Sequence, residues 1–134
     1  MYDEDIVREA TLAYFDGDEL ATNVFMTKYC LRDNKGNYVE KTPDDMHRRI
    51  AAEFARMEDK FAPDETNSAL VESEIYSYLK NFKYIVPQGS PMMGIGNDYV
   101  NVSLSNCVVV DNPQDSISSI MDAGKDIANL FKRR

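Results

Sequence analysis

Apolar residues return at two different periods along this chain, and the change from one to the other divides it. Up to about residue 83 they recur every three or four positions, as on one face of a helix. Residues 3–15 place Ile6, Ala10 and Tyr14 on a common face and close in Phe15-Asp16-Gly17-Asp18. A second helix is expected from about Glu19 to Cys30, with Leu20, Val24, Met26 and Tyr29 in an imperfect helical pattern. Asp33-Asn34-Lys35-Gly36 reads as a turn between two short extended pieces. The clearest helix start follows: Thr42 can cap, Pro43 suits the first helical position, and Asp44 and Asp45 sit where the helix dipole favours negative charge. That helix runs through Met46, Ile50, Phe54, Met57 and Phe61 until Pro63 ends it. Another amphipathic helix, Asn67 to about Phe82, carries Leu70, Ile75, Tyr78, Leu79 and Phe82. The methionine and aromatic stripe on these two helices is ordinary core material.

Beyond residue 84 the period falls to two. Val100, Val102 and Leu104 alternate with Asn101, Ser103, Ser105 and Cys107, which predicts a strand with one apolar face and one face of small polar groups and a thiol. Val108-Val109-Val110 then makes it apolar on both sides, as in a covered sheet. Serines, an asparagine and a cysteine on such a strand need partners, water or a ligand. Gly89-Ser90-Pro91 and Gly94-Ile95-Gly96-Asn97 ahead of it are turns able to wrap closely around something small. After the strand, Asp111-Asn112-Pro113-Gln114 turns the chain. Asp115 or Ser116 caps a final helix bearing Ile117, Ile120, Met121, Ile127, Leu130 and Phe131, with Lys132-Arg133-Arg134 at its C-terminal end. Gly124 in mid-helix costs about 1 kcal/mol relative to alanine and implies a close neighbour.

Composition narrows the function. With 134 residues, 43% of them hydrophobic, the chain can build one modest core. A net charge of -8 argues against a nucleic-acid or anionic-membrane surface. No apolar run is long enough for a membrane span, and the acidic start MYDEDIVREA is unlike a signal peptide, so a cytoplasmic protein is expected. In such a reducing compartment Cys30 and Cys107 are not expected to form a structural bridge. Cys30 reads as a small buried hydrophobe. The single histidine, His47, next to Arg48 and Arg49, reads as exposed on a charged face, and with no Cys or His cluster no zinc site is expected.

The run PQGSPMMGIGN at 87–97, then SLSNC at 103–107, DSI at 115–117 and a helix ending LFKRR resembles, in order and spacing, the catalytic subunit of ribonucleotide reductases. The lead-in, with Lys28-Tyr29, Asp33, Gly36, Glu40, Thr42-Pro43 and Arg49-Ile50-Ala51, is similar to that family more loosely. The resemblance implies an α/β fold that is mostly helical in this fragment: a helical layer at 1–83, then at 84–134 the first strand and helix of a ten-stranded α/β barrel. The other strands would come from another chain. The family's thiyl-radical cysteine, its asparagine and glutamate partners and its second reducing cysteine all lie later than this sequence reaches. A naturally split enzyme is expected over an artificial truncation, because Arg134 falls at a helix end.

By the same resemblance Cys107 would be one of two thiols that reduce the substrate and close to a disulfide, later reopened by a thioredoxin- or glutaredoxin-type reductant. Ser90, Ser105 and Asn106 would approach the ribonucleotide, with Asn106 departing from the serine of many relatives. Asp115 would contact the ribose of a dNTP or ATP effector, although the preceding DNPQ makes its register one residue longer than in some relatives. The radical would come from adenosylcobalamin, whose branch the PQGSP and SLSNC wording resembles more, or from a separate metal-containing subunit. Two other readings stand beside this one. A small acidic helical interaction module would keep Cys107 structural, and a standalone thiol oxidoreductase would need the C-x-x-C pair that is absent.

Overall fold

The computed structural model describes residues 1–61 and 70–132. Among the described residues six α-helices form: α1 (Glu4–Tyr14), α2 (Glu19–Val24), α3 (Pro43–Phe61), α4 (Glu72–Leu79), α5 (Gly89–Gly94) and α6 (Ile117–Phe131). A π-helical segment, Phe25–Tyr29, continues α2, and a 3₁₀ turn, Lys80–Phe82, continues α4. The described residues are mostly helical and contain no strand, only isolated antiparallel bridges from Tyr38 to Tyr2 and to Arg32. Among them, no helix is long and apolar enough to cross a membrane.

Local chemistry sets the starts of these helices. Asp18 caps α2 by accepting the Ala21 N–H at 2.9 Å, after a turn that holds Asp16 and Gly17 at φ 51° and 90°. At α3 Pro43 occupies the first position as expected. The reach-back there is made by the Asp45 carboxylate, which accepts the Lys41 and Thr42 N–H groups at 2.8 and 3.1 Å. Glu74 does the same for Val71 at the start of α4. Ser116, rather than Asp115, caps α6 by accepting the Ser119 N–H. The expected stop at Pro63 and start at Asn67 lie outside the described residues, as do Arg133 and Arg134.

The core joins Val7 of α1, Phe25, Met26 and Cys30 around the π segment, Tyr38, Met46, Ile50 and Ala51 of α3, and Ile75 and Leu79 of α4. Three expected faces are corrected by it. In α1 the buried pair is Val7 and Thr11, not Ile6, because the Thr11 hydroxyl finds an acceptor in the Lys41 carbonyl at 3.0 Å. The α3 stripe is fully buried only as far as Ala51; Ala55 and Met57 are half-buried, and Phe54 and Phe61 are exposed. In the second helix Leu20 is exposed, while the wider π turn, closed by Cys30 N–H to the Phe25 carbonyl, presents both Phe25 and Met26 to the core.

His47 is the plainest reversal. It is fully buried, with its ring edge-on to Phe82 at 4.5 Å between centroids. Its position on the helix decides this: residues 43, 46, 47, 50 and 51 form one face, and Pro43, Met46, Ile50 and Ala51 are all buried on it.

The strand expected at 100–110 is absent from the described residues. The segment is without regular secondary structure, and Val108 and Val109 are 53% and 96% exposed, so it is not covered on both sides. A strand needs a neighbour to receive its ladder hydrogen bonds, and these residues have none among the described residues. Nor does α6 bury any residue; its apolar side is open at Ile117, Met121 and Phe131. Among the described residues nothing beyond its own helix lies within 4 Å of where a side chain on Gly124 would start, so the close neighbour inferred from the sequence is not found there.

Candidate functional site

The turn at Gly89-Ser90-Pro91 folds into the first turn of α5, preceded by Gln88 in an extended conformation. The first N–H groups of any helix lack intrahelical acceptors, and no side chain next to α5 in sequence supplies one. Asn106 supplies it from sixteen residues away: its Oδ1 accepts the Ser90 N–H at 2.7 Å. Its Nδ2 donates to Gln88 Oε1, also at 2.7 Å. One amide side chain thus ties the two sequence segments together, and Ser90 is buried beneath that contact.

The segment approaches α5 at the helix's other end as well. A side chain on Gly94 would begin 2.6 Å from Val102 Cγ2 and 2.8 Å from Leu104 Cδ2, so only glycine lets these residues lie this close. Val102 and Leu104 therefore rest on α5. Ser103 and Ser105 line a groove of about 310 Å³ with Asn106, Val108, Val110 and the α6 residues Ile127, Leu130 and Phe131. The lining switches from odd to even positions across the bend at Asn106, so the alternation does not persist as one straight strand. Ser105 donates its N–H to the Ser103 hydroxyl at 3.2 Å, a local bond that competes with sheet pairing.

The two cysteines differ in environment. Cys107 is exposed and free, next to Asn106. Cys30 is buried beside the Glu40 carbonyl, 3.3 Å from its sulfur. Burial and, secondarily, the Glu40 charge push the Cys30 thiol up to about 12, which keeps it an inert core group as expected. Asp115 is exposed just ahead of α6 and makes no hydrogen bond to Ser90, Ser105, Asn106 or Cys107. The structure therefore ties Ser90 to Asn106, the neighbour of Cys107, and links Asp115 to none of them by a hydrogen bond. Among the described residues no cluster of His, Cys, Asp and Glu could hold a metal ion.

Sequence reasoning missed Gln88, which completes the Asn106 contact, and the pair Arg49 and Glu40. These last two were noticed only as part of the loose family resemblance. In space Arg49 Nε donates to Glu40 Oε1 at 2.6 Å, with both side chains at most one-tenth exposed. An acidic residue and an arginine nine positions apart across a loop give no periodic signal.

An all-α body leading into a turn, a short helix and a cysteine-bearing extended segment is the arrangement found here, and the comparison of sequences agrees with its helical part. Residues 15–98 match the family described as ribonucleotide reductase, all-alpha domain, over more than half of the chain. The chain belongs to that family, the helical N-terminal region of the reductase large subunit. The match takes in α2 to α5, including Ser90, and stops short of Asn106 and Cys107. No curated protein and no solved structure gave a significant match.

Proposed function

We propose that this chain is the N-terminal part of a ribonucleotide reductase catalytic subunit, that residues 84–134 start its α/β barrel, and that Cys107 is one of its two reducing thiols. The observation that carries the reading is the Ser90–Asn106–Gln88 contact. In a chain of this family, it sets a buried serine and a short helix N-terminus beside a segment whose next residue is an exposed thiol. A ribonucleotide lying along that junction meets Ser90, Ser105 and Asn106.

In the reaction the substrate loses its 2'-hydroxyl as water. Two thiols, Cys107 and a cysteine of the remaining subunit, give up two protons and two electrons and close to a disulfide. A thioredoxin- or glutaredoxin-type dithiol then takes over the disulfide by exchange. The initiating radical is supplied by adenosylcobalamin or by a separate metal-containing subunit, and this chain's residues bind, orient and reduce. An effector nucleotide at Asp115 would need groups from the rest of the subunit, since no described residue hydrogen-bonds or pairs with that carboxylate. The uncovered side of α6 and the unpaired backbone of 100–110 supply the surface on which those further barrel strands pair and pack.

The test is co-expression with a downstream reductase fragment that begins at the next barrel strand. Size-exclusion chromatography and deoxyribonucleotide formation are followed with and without adenosylcobalamin. A stable complex that turns over repeatedly, and loses repeated turnover with Cys107→Ala, is the expected result. Normal multiple turnover in the Cys107→Ala complex would falsify the assignment of Cys107.

A further inference from the structure

Helix α5 is only six residues long, yet its placement is fixed from both ends by the helical body. At its N-terminal end Gly89 lies against the ring of Tyr29, where a side chain would start 3.3 Å from Cε1. At its C-terminal end Asn97 serves the Met93 and Gly94 carbonyls, while those of Met92 and of Ile95, just past the helix, meet a single guanidinium. Arg49 Nη2 donates to the Met92 carbonyl at 2.8 Å, and Nη1 donates to the Ile95 carbonyl. Gly96 closes over the same side chain at φ 68°; a Cβ there would sit 2.9 Å from Arg49 Cγ. Both the backbone angle and the contact require glycine at this point.

The guanidinium is itself aimed. Glu40 receives Arg49 Nε at 2.6 Å through Oε1, while its Oε2 accepts the Leu31 N–H at 2.9 Å. Arg49 and Glu40 are nearly removed from water, and each uses its charge against fixed partners on three elements: α3, the loop before it, and α5. A buried pair of this kind is a poor source of net stability compared with apolar side chains of the same size, but it holds geometry strictly. A planar fork with several donors is what reaching two carbonyls and a carboxylate at once demands.

From this arrangement we infer that Arg49, oriented by Glu40, is a positioning residue that sets the location of α5 and through it the Ser90–Asn106 junction. It touches neither Ser90 nor Asn106. It acts through the helix between them, so the all-α body gauges where the substrate-facing turn lies. The catalytic consequence rests on the function proposed above; the mechanical one does not.

The two are tested separately. Arg49→Met alone strands a buried Glu40 and risks unfolding, so the decisive variant is Glu40→Gln with Arg49→Met, which removes both charges and keeps an acceptor for the Leu31 N–H. In the full chain, amide hydrogen exchange at Ser90 is expected to accelerate at least about tenfold in this variant, as befits loss of charge-assisted bonds. Exchange at Ile50 and Leu79 in the core is expected to stay within about twofold, the precision of such comparisons. Arg49→Lys should fall between, since an ammonium cannot span all three acceptors. Unchanged exchange at Ser90, or equal acceleration at Ser90, Ile50 and Leu79, overturns the inference. In the complemented enzyme the double variant should raise KM for the ribonucleotide about tenfold, the scale of one lost charge-assisted contact. A wild-type KM and kcat in an otherwise active enzyme also overturns it. If the unmodified complex makes no deoxyribonucleotide while Ser90 exchange responds as expected, the functional reading fails and the clamp stands.

Discussion

Two buried ionisable residues show how differently single side chains are accommodated in this fold. Glu40 meets Arg49 and the Leu31 N–H, so its burial is compensated. Neither ring nitrogen of His47 has a hydrogen-bond partner among the described residues, and burial holds its pKa below the usual 6.5 against a weaker opposing pull from Asp44. The unfolded chain therefore binds a proton near pH 6.5 that the folded chain refuses until lower pH, and stability must fall as pH drops through that range. Asp33, Asp44 and Glu53 are shifted downward by their hydrogen-bond partners, so their contributions are lost only below 3.8, 3.8 and 4.5. Between pH 6.5 and 4.5 the loss is thus expected to belong to His47. Thermal unfolding should show a midpoint that declines over this interval and a flatter profile for His47→Leu. Parallel profiles for the two proteins would mean that another group titrates there.

At the scale of elements, α5 is held by contacts distant in sequence, because six residues form too few internal bonds to persist alone. Asn106 caps it, Arg49 donates to its Met92 carbonyl, and Val102 and Leu104 lie across Gly94. Gly94→Ala adds a methyl 2.6 Å from Val102 Cγ2 and 2.8 Å from Leu104 Cδ2. Helix propensity favours alanine here by about 1 kcal/mol, whereas overpacking costs about 1–3 kcal/mol, so a modest net loss is expected. The urea midpoint should fall, and the methyl resonances of Val102 and Leu104 should shift more than those of Ile50. A raised midpoint with unmoved methyl signals would show that 100–106 does not rest on α5 in solution.

Across the whole molecule, packing is uneven. The helices from α1 to α4 share one buried core, while residues 98–115 and α6 add exposed apolar surface, and 98–115 few backbone hydrogen bonds. Hydrogen exchange should accordingly separate two classes, with slow amides at Val7, Met46, Ile50 and Leu79 and fast ones at Val102, Val108 and Val109. Uniform protection through residue 110 would mean that the segment pairs with something, a second copy of the chain included. The sequence by itself determined the helical body well. Pro43 with its acidic first turn, the Asp33–Gly36 turn and the buried Cys30 all follow from local preference and 3.6-residue periodicity, which need no distant partner. The alternation at 100–107 marked a segment able to form a strand, but a strand exists only when another donates and accepts beside it, and among the described residues none does. Tertiary structure also decided the inward turn of His47 and the Asn106 bridge to Ser90 and Gln88. So too the Arg49–Glu40 grip on α5: each depends on which residues meet across loops, and one-dimensional periodicity carries no record of that distance.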